Sequence, residues 1–225
     1  TETLEYNGRS FHCYENGDLV AVASGIGSAH AEAAARALVS RYQPATLISA
    51  GLAGALIRSL KVGSIFLPSL VVSAASGEEY RCAPVGSMVI GGILVTSGEI
   101  AGETAKPDLV NRFHALVVDM EAAGVAKVAQ EFHLSFVCVK AISDELDFAM
   151  PPIGRFIDAQ GNMLTSKLVA WAAVRPIWWP TLAALGRNSK QATLALCNWL
   201  QQNVSGNPGL AAVKLERAEL SQTKT

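Results

Sequence analysis

Two acidic clusters carry the chemistry this chain could do. Asp119-Met120-Glu121 ends one short apolar run, and Ser143-Asp144-Glu145 ends another, with Asp147 just beyond it. A carboxyl at the end of an apolar strand is partly desolvated, and desolvation raises a carboxyl pKa. An acid that stays protonated near neutrality can give a proton to a leaving group, the role open to Asp144. Glu121 stands where a helix begins beside a strand end, suited to accept hydrogen bonds from sugar hydroxyls. Plainer readings exist for both: Glu121 as a charge at a helix N-terminus, Asp144 as a strand-end turn former. The residues alone leave the two readings open.

The elements that must position these groups are legible in the pattern. Ala115–Val118 is a short apolar strand, Ala122–Phe132 has Val125, Val128, Ala129 and Phe132 on one helical face, and Phe136–Ile142 is a β-branched strand. A strand, helix, strand unit builds a parallel sheet, and ligands bind at the carboxyl ends of such strands. Earlier in the chain, Asn7-Gly8 and Asn16-Gly17 are hairpin signals around a strand at Phe11 to Tyr14. Strands are expected over Leu19–Ser24, Ala45–Ser49, Val62–Ala74 around Pro68, and Met88–Thr96. Ala29–Arg41 reads as a helix, Ser76–Arg81 as a polar loop, and Ser97–Asn111 as a loop and short helix. Phe148–Asn162 is an irregular loop, followed by helices at Met163–Ala173 and Pro176–Asn203. The fold class is α/β: one three-layer domain over 1–205, its mixed, largely parallel sheet flanked by helices. A charged, frayed tail over 206–225 completes the expectation.

Two glycine-rich loops add a second kind of site. Gly25-Ile26-Gly27-Ser28 lies between a strand and a helix, where backbone N–H groups and the helix dipole suit an anion. It is no dinucleotide fingerprint, because His30 stands where the last glycine belongs. A tight turn is the commoner use of such a loop, and His30 reads as solvent-facing. A similar small-residue loop runs from Ala50 through Gly51 to Ala55.

Bulk properties narrow the partners. Half of the 225 residues are hydrophobic, 16% are charged and the net charge is −1, which opposes a nucleic-acid partner bound by phosphate neutralisation. Cys13, Cys82, Cys138 and Cys197 show no CxxC spacing, so neither a zinc site nor a disulfide framework is expected, and a reducing cytoplasm fits. No signal peptide and no transmembrane segment are expected. Leu168–Leu185 is apolar, but Arg175, Pro176 and Pro180 interrupt it. Trp171, Trp178 and Trp179 beside Arg175 read first as core or oligomer interface, and second as a weak membrane-surface contact.

The stretch Val117–Asp147 closely resembles the central motif of the purine nucleoside phosphorylase and methylthioadenosine/S-adenosylhomocysteine nucleosidase superfamily. Met120-Glu121-Ala122 and Ile142-Ser143-Asp144 match that family's acidic motifs, and Ser24-Gly25-Ile26-Gly27, Gly51-Leu52-Ala53-Gly54 and Val62-Gly63 match further loops in order. The region from Met150, with Arg175-Pro176, Leu182, Leu185 and Arg187, looks like the hopanoid-associated branch, thought to cut adenine from an adenosylated hopane. The resemblance implies cleavage of the N-glycosidic bond of an adenosine-type purine nucleoside, lipid-linked if that branch is right. It implies Asp144 at the purine N7 with Ser143 orienting it. Glu121 would grip the ribose hydroxyls as the sugar gains oxocarbenium character, with Met120 under the ring. Ile100 and Ala101 would offer backbone groups to the base, whereas Glu99 reads as a surface residue. No cofactor or metal is implied. Phosphate stays open as a co-substrate, with Gly25, Ile26, Gly27, Ser28 and Gly51 as its loop, and self-association is expected. Two departures stand out. Neither Glu2 nor Glu5 follows an apolar strand, so the family's first strand and its water-activating acid have no counterpart here. Ala50-Gly51-Leu52 also lacks the hydroxyl that phosphorylases use. Phosphorolysis, hydrolysis and a non-catalytic nucleoside binder are therefore all carried forward.

Overall fold

A computed structural model describes residues 2–204 of the chain. The expected tail lies outside the described residues. The first strands, β1 (Glu2–Tyr6), β2 (Arg9–Asn16) and β3 (Leu19–Val22), form an antiparallel sheet in that order, turned at Asn7-Gly8 and Gly17-Asp18. Leu4, Phe11 and Cys13 point inward from it onto Ala34 and Ala37. These alanines belong to α1 (Ser28–Tyr42).

Seven further strands make the main sheet. They are β4 (Thr46–Ala55), β5 (Ile65–Phe66), β6 (Leu70–Ser73), β7 (Glu79–Arg81), β8 (Ile93–Thr96), β9 (Val117–Asp119) and β10 (Ser135–Asp144). Their spatial order is β5-β10-β4-β9-β8-β6-β7. The longest pairing is parallel, β10 against β4 from Ser135 opposite Thr46 to Asp144 opposite Gly54, and β9 joins β4 antiparallel only at Gly54 and Ala55. The remaining helices are α2 (Ala105–Phe113), α3 (Ala122–Glu131), α4 (Thr165–Ala173) and α5 (Trp179–Asn203). Alternation along β10 divides the core. Cys138 and Ile142 face α3 and α1, while Val139 and Ala141 face Ala192 and Leu196 of α5. The sheet is thus mixed and covered on both faces, the three-layer arrangement expected.

Several boundaries differ from the sequence reading, each for a physical reason. The strand expected over Met88–Thr96 starts only at Ile93, because Gly92 adopts φ +75 and breaks the extended backbone. The loop expected over Ser76–Arg81 contains β7, whose Tyr80 is buried against the core while its neighbours stay exposed. The Trp-rich region departs furthest. No residue of α4 is buried, and Val169, Val174, Ile177 and Trp179 are exposed, so the expectation of core helices is corrected. Trp171 meets Phe156 and Trp178 in tilted ring contacts, with Arg175 over the Trp171 ring, and this small aromatic cluster stands in for a core. Among the described residues no single helix is long and apolar enough to cross a membrane. Thr165–Ala173 and Pro176–Asn203 pass that test of length and composition only together, as a pair bent by 114°.

Helices α1 and α3 pack backbone to backbone. A Cβ on Gly124 would fall 2.1 Å from the Ser28 carbonyl oxygen and 3.0 Å from the Glu32 nitrogen, so glycine is required there. Around it Arg36 bridges Glu32 and Glu131, and Lys127 pairs with Glu32. Helix propensity alone predicts that Gly124→Ala stabilises by about 1 kcal/mol. The close approach predicts the opposite sign, a loss of about 1–3 kcal/mol from overpacking, measurable by urea unfolding. A gain would mean that the two helices are not in contact at Gly124.

Candidate functional site

The two acidic clusters fold into two polar centres on either side of β4. At the first, Asp119 ends β9 and is fully enclosed. It accepts hydrogen bonds from the Thr96 hydroxyl at 2.7 Å and the Ala122 N–H at 2.8 Å, and pairs with the Lys140 ammonium at 2.8 Å. Asp119, not Glu121, is therefore the side chain that satisfies the start of α3. Lys140 is 1% exposed and also donates to the Ser49 hydroxyl at 3.1 Å. Burial opposes its charge, but Asp119 in contact, with Cys138 and Glu121 nearby, outweighs burial and raises its pKa. It reaches this position past Gly51, where a Cβ would stand 3.3 Å from Nζ.

Glu121 sits beside this pair as the residue preceding α3. One carboxylate oxygen accepts the Gly27 N–H at 3.0 Å and the other accepts its neighbour Met120 N–H at 3.3 Å. Its pKa is raised, first by burial and next by Asp119, against the lowering effect of Lys140 and the two N–H groups. The glycine loop thus holds a carboxylate of its own chain. Its Ile26 N–H is also engaged, donating to the Gly161 carbonyl at 2.9 Å. The loop that supplies Gly161 was legible only as irregular. It is turned on Asp158, which accepts the Gln160 and Asn162 N–H groups, and Gly161 approaches Ile26 so closely that a Cβ would lie 2.6 Å from the Ile26 oxygen. Further back in the same segment, Gly154 lies near Ile100, its added Cβ 3.8 Å from the Ile100 side chain.

The second centre is Asp144, buried at the end of β10. The Lys106 ammonium donates to Oδ2 at 3.0 Å and the Ser143 hydroxyl to Oδ1 at 3.1 Å. Lys106 is 1% exposed and also reaches the carbonyls of Glu145 and Leu146. Two donors converge on the carboxyl, so in this geometry Asp144 is an acceptor. Burial was expected, but a buried cation beside it was not. Gly54 makes room for the group, since a Cβ there would sit 2.8 Å from Oδ2.

A cavity of about 560 Å³ borders Glu121, Gly25 and Gly51, with Ser24, Ser49 and Lys140 beside them. Asp144 and Ser143 lie outside its lining, as do Met120, Ile100 and Ala101. Met120 and Ile100 are half-buried, and Ala101 is buried with Leu56 and Val95. The two centres meet β4 at Gly51 and Gly54, about 10 Å apart at the rise of a β-strand. Four contributors escaped the sequence reading: Lys106, Lys140, Thr96 and Gly161. Lys140 alone had a signal, a charge inside the apolar run Phe136–Ile142 that only a buried partner could accommodate. Among the described residues no group of three or more His, Cys, Asp or Glu side chains could hold a metal ion.

Comparison with known proteins gives a consistent set of likenesses. The family model described as the phosphorylase superfamily matches residues 6–88 and 85–163. A 5'-methylthioadenosine/S-adenosylhomocysteine nucleosidase of Bacillus licheniformis is 32% identical over 161 residues, covering 58% of this chain and 70% of that protein. Among solved structures, the nucleosidase of the same name from Neisseria meningitidis, in complex with methylthio-immucillin-A, superposes with a TM-score of 0.65 at 16% identity. That match covers 90% of this chain and 88% of that one. Futalosine hydrolase of Helicobacter pylori does so at 0.61 and 19%, covering 89% and 88%. The structural likenesses carry the fold.

The raised pKa of Glu121 has a consequence for stability. Between its ordinary value and its raised folded value, the folded state holds the proton more tightly than the unfolded one. Stability from this group is therefore present at low pH and lost as pH rises through the folded pKa. Glu121→Gln is expected to stabilise the fold at pH 7 relative to pH 4, read as the difference in denaturation midpoint from the parent at each pH. A midpoint difference independent of pH would contradict the raised pKa.

Proposed function

The chain belongs to the phosphorylase superfamily, and on that premise we propose that it cleaves the N-glycosidic bond of an adenosine-type purine nucleoside by hydrolysis. The observation that carries this reading is the pair of polar centres flanking the side-chain-free positions Gly51 and Gly54 of β4, one built on Glu121 and the other on Asp144. The curated relative is named for hydrolysis of such nucleosides. Water is favoured over phosphate because the glycine loop's Ile26 and Gly27 N–H groups are already engaged, by the Gly161 carbonyl and by Glu121.

In this reading the purine lies toward Asp144 and the ribose toward Glu121. Glu121 accepts hydrogen bonds from the 2'- and 3'-hydroxyls, and those bonds strengthen as positive charge develops on the sugar. Met120 packs under the ring, and backbone groups at Ile100 and Ala101 meet the base. The proton for N7 is drawn from the Lys106–Asp144–Ser143 cluster. The Lys106 ammonium is its reservoir, Asp144 delivers it, and Ser143 fixes the carboxyl's orientation. The C1'–N9 electron pair leaves with the base, now neutral because N7 is protonated. Water then bonds to C1', and the proton it releases restores the cluster.

A second reading concerns the far side of the substrate. Val169, Val174, Ile177 and Trp179 form an exposed apolar elbow between α4 and α5, with Ile177 82% exposed. This favours a nucleoside linked to a lipid and presented at a membrane surface.

Incubation with adenosine, 5'-methylthioadenosine, S-adenosylhomocysteine and inosine, with and without phosphate, tests the reaction. Free base with free sugar is the expected product, and the rate should not depend on phosphate. A phosphorylated sugar would establish phosphorolysis, and binding without release would establish a binder. Asp144→Asn is expected to lower base release by about 10²- to 10⁴-fold, with the unfolding midpoint as the control for folding. Unchanged release would remove Asp144 from the reaction. The lipid-linked reading expects sedimentation with vesicles that Ile177→Glu abolishes, and no sedimentation of the parent would sink it.

A further inference from the structure

Charge is unevenly placed along this chain. From Ala159 to Asn203 there is no Asp or Glu, while Lys167, Arg175, Arg187 and Lys190 are basic. The net charge of the whole chain is −1, so this segment carries +4 and the remainder −5. All four basic residues are exposed, and none has an ion pair among the described residues. Elsewhere Arg36, Arg58, Lys61, Arg112 and Lys127 are each paired with a carboxylate. The same segment holds the exposed apolar elbow and every tryptophan of the chain.

The elbow has a shape as well as a charge. Its two arms meet at a bend of 114°, and Val174 and Ile177 are 73% and 82% exposed at the apex. Arg175, at the apex itself, lies over the Trp171 ring and donates to the Trp171 carbonyl at 3.3 Å. The other cations stand back along both arms. Lys167 precedes Val174 by about 10 Å of helix, and Arg187 follows Trp179 by about 12 Å. On α5 the exposed positions Trp179, Ala183, Arg187, Lys190 and Leu194 recur at helical spacing, so these charges share a face with Trp179.

We propose that the elbow docks on an anionic bilayer surface. Val174, Ile177 and Trp179 enter the headgroup boundary, and Lys167, Arg187 and Lys190 meet lipid phosphates. This rests on the membrane-surface reading given above and adds the charge that the surface must carry. An interfacial helix buries its apolar side by about 5–10 Å, so cations about 10–12 Å behind the tip reach the phosphate level. Among the described residues no single helix is fit to cross, which leaves the elbow lying on the surface. A second copy of the chain is the competing occupant, and charge decides between them. Elbow against elbow sets four unpaired cations on four others, whereas an anionic bilayer answers all of them. A protruding tip also needs a partner without a shaped pocket, and a bilayer has none.

The test uses the full chain, with no nucleoside added, and vesicles of phosphatidylcholine alone or with about one-third phosphatidylglycerol. Each Lys or Arg near an anionic surface raises partitioning about fivefold, so at least about tenfold tighter sedimentation with the anionic vesicles is expected. Tryptophan emission should shift to the blue on binding, and about 0.5 M salt should remove the preference. Arg187→Gln with Lys190→Gln is expected to lose at least about tenfold on anionic vesicles and nothing on neutral ones. Ile177→Glu should lose binding to both, with unchanged unfolding midpoints as the control for folding. Equal partitioning into the two vesicle types would overturn the proposal while leaving the lipid-linked reading standing. Full anionic binding by the double variant would overturn it as well. No binding of the parent to either vesicle would end both readings, and self-association lost in Ile177→Glu would then assign the elbow to a second copy.

Discussion

The molecule depends on an ion pair in its interior. Lys140 of β10 reaches Asp119 of β9 across β4, the strand that separates them, and it can do so because Gly51 presents no side chain in the way. Breaking such a pair leaves an uncompensated buried charge at about 3–5 kcal/mol, although an apolar replacement of both partners is often neutral. The pair is thus weak evidence for stability and better evidence for register. Asp119 also holds the first turn of α3 and the Thr96 hydroxyl of β8. One buried carboxylate fixes the relative positions of β8, β9, β10 and the helix that carries Glu121.

The polar architecture around Glu121 follows from this frame. Its carboxylate is partly desolvated, has Asp119 as a like-charged neighbour, and is moderated by Lys140 and by two backbone N–H groups. A group held this way costs stability at neutral pH. The Asp144 centre is built differently. There the compensating charge comes from Lys106, on a helix far from β10 in sequence, and the room comes from Gly54.

Much of the fold was legible because its signals are local. The run from Val117 to Asp144 announces strand, helix and strand through apolar periodicity, and the structure forms β9, α3 and β10 within a residue or two of those bounds. The alanine-rich stretch announced α1 in the same way. What was not legible depends on distant partners. Glu79 to Arg81 reads as polar loop because only Tyr80 faces inward, and β6 recruits it as an edge strand. The exposed face of α4 carries apolar residues that read as core. In the site, both acidic clusters were visible, since carboxylates at strand ends stand out. Lys106 was not, because a lysine in the first turn of a short helix has every mark of a surface residue until the fold turns it inward. The engagement of the Gly25–Ser28 loop by Glu121 and Gly161 was equally hidden. Sequence displays the donors of a loop but not what they already hold.

The contact between Gly124 and Ser28 reaches beyond packing. Gly27, which donates to Glu121, immediately precedes α1, and Glu121 immediately precedes α3, so the helices that meet at Gly124 set the distance between them. One corner of the molecule is therefore jointed like masonry, main chain against main chain, with no rotamer to adjust. The Asp144 centre is joined instead through a side chain, the buried Lys106, whose ammonium also holds the carbonyls of Glu145 and Leu146.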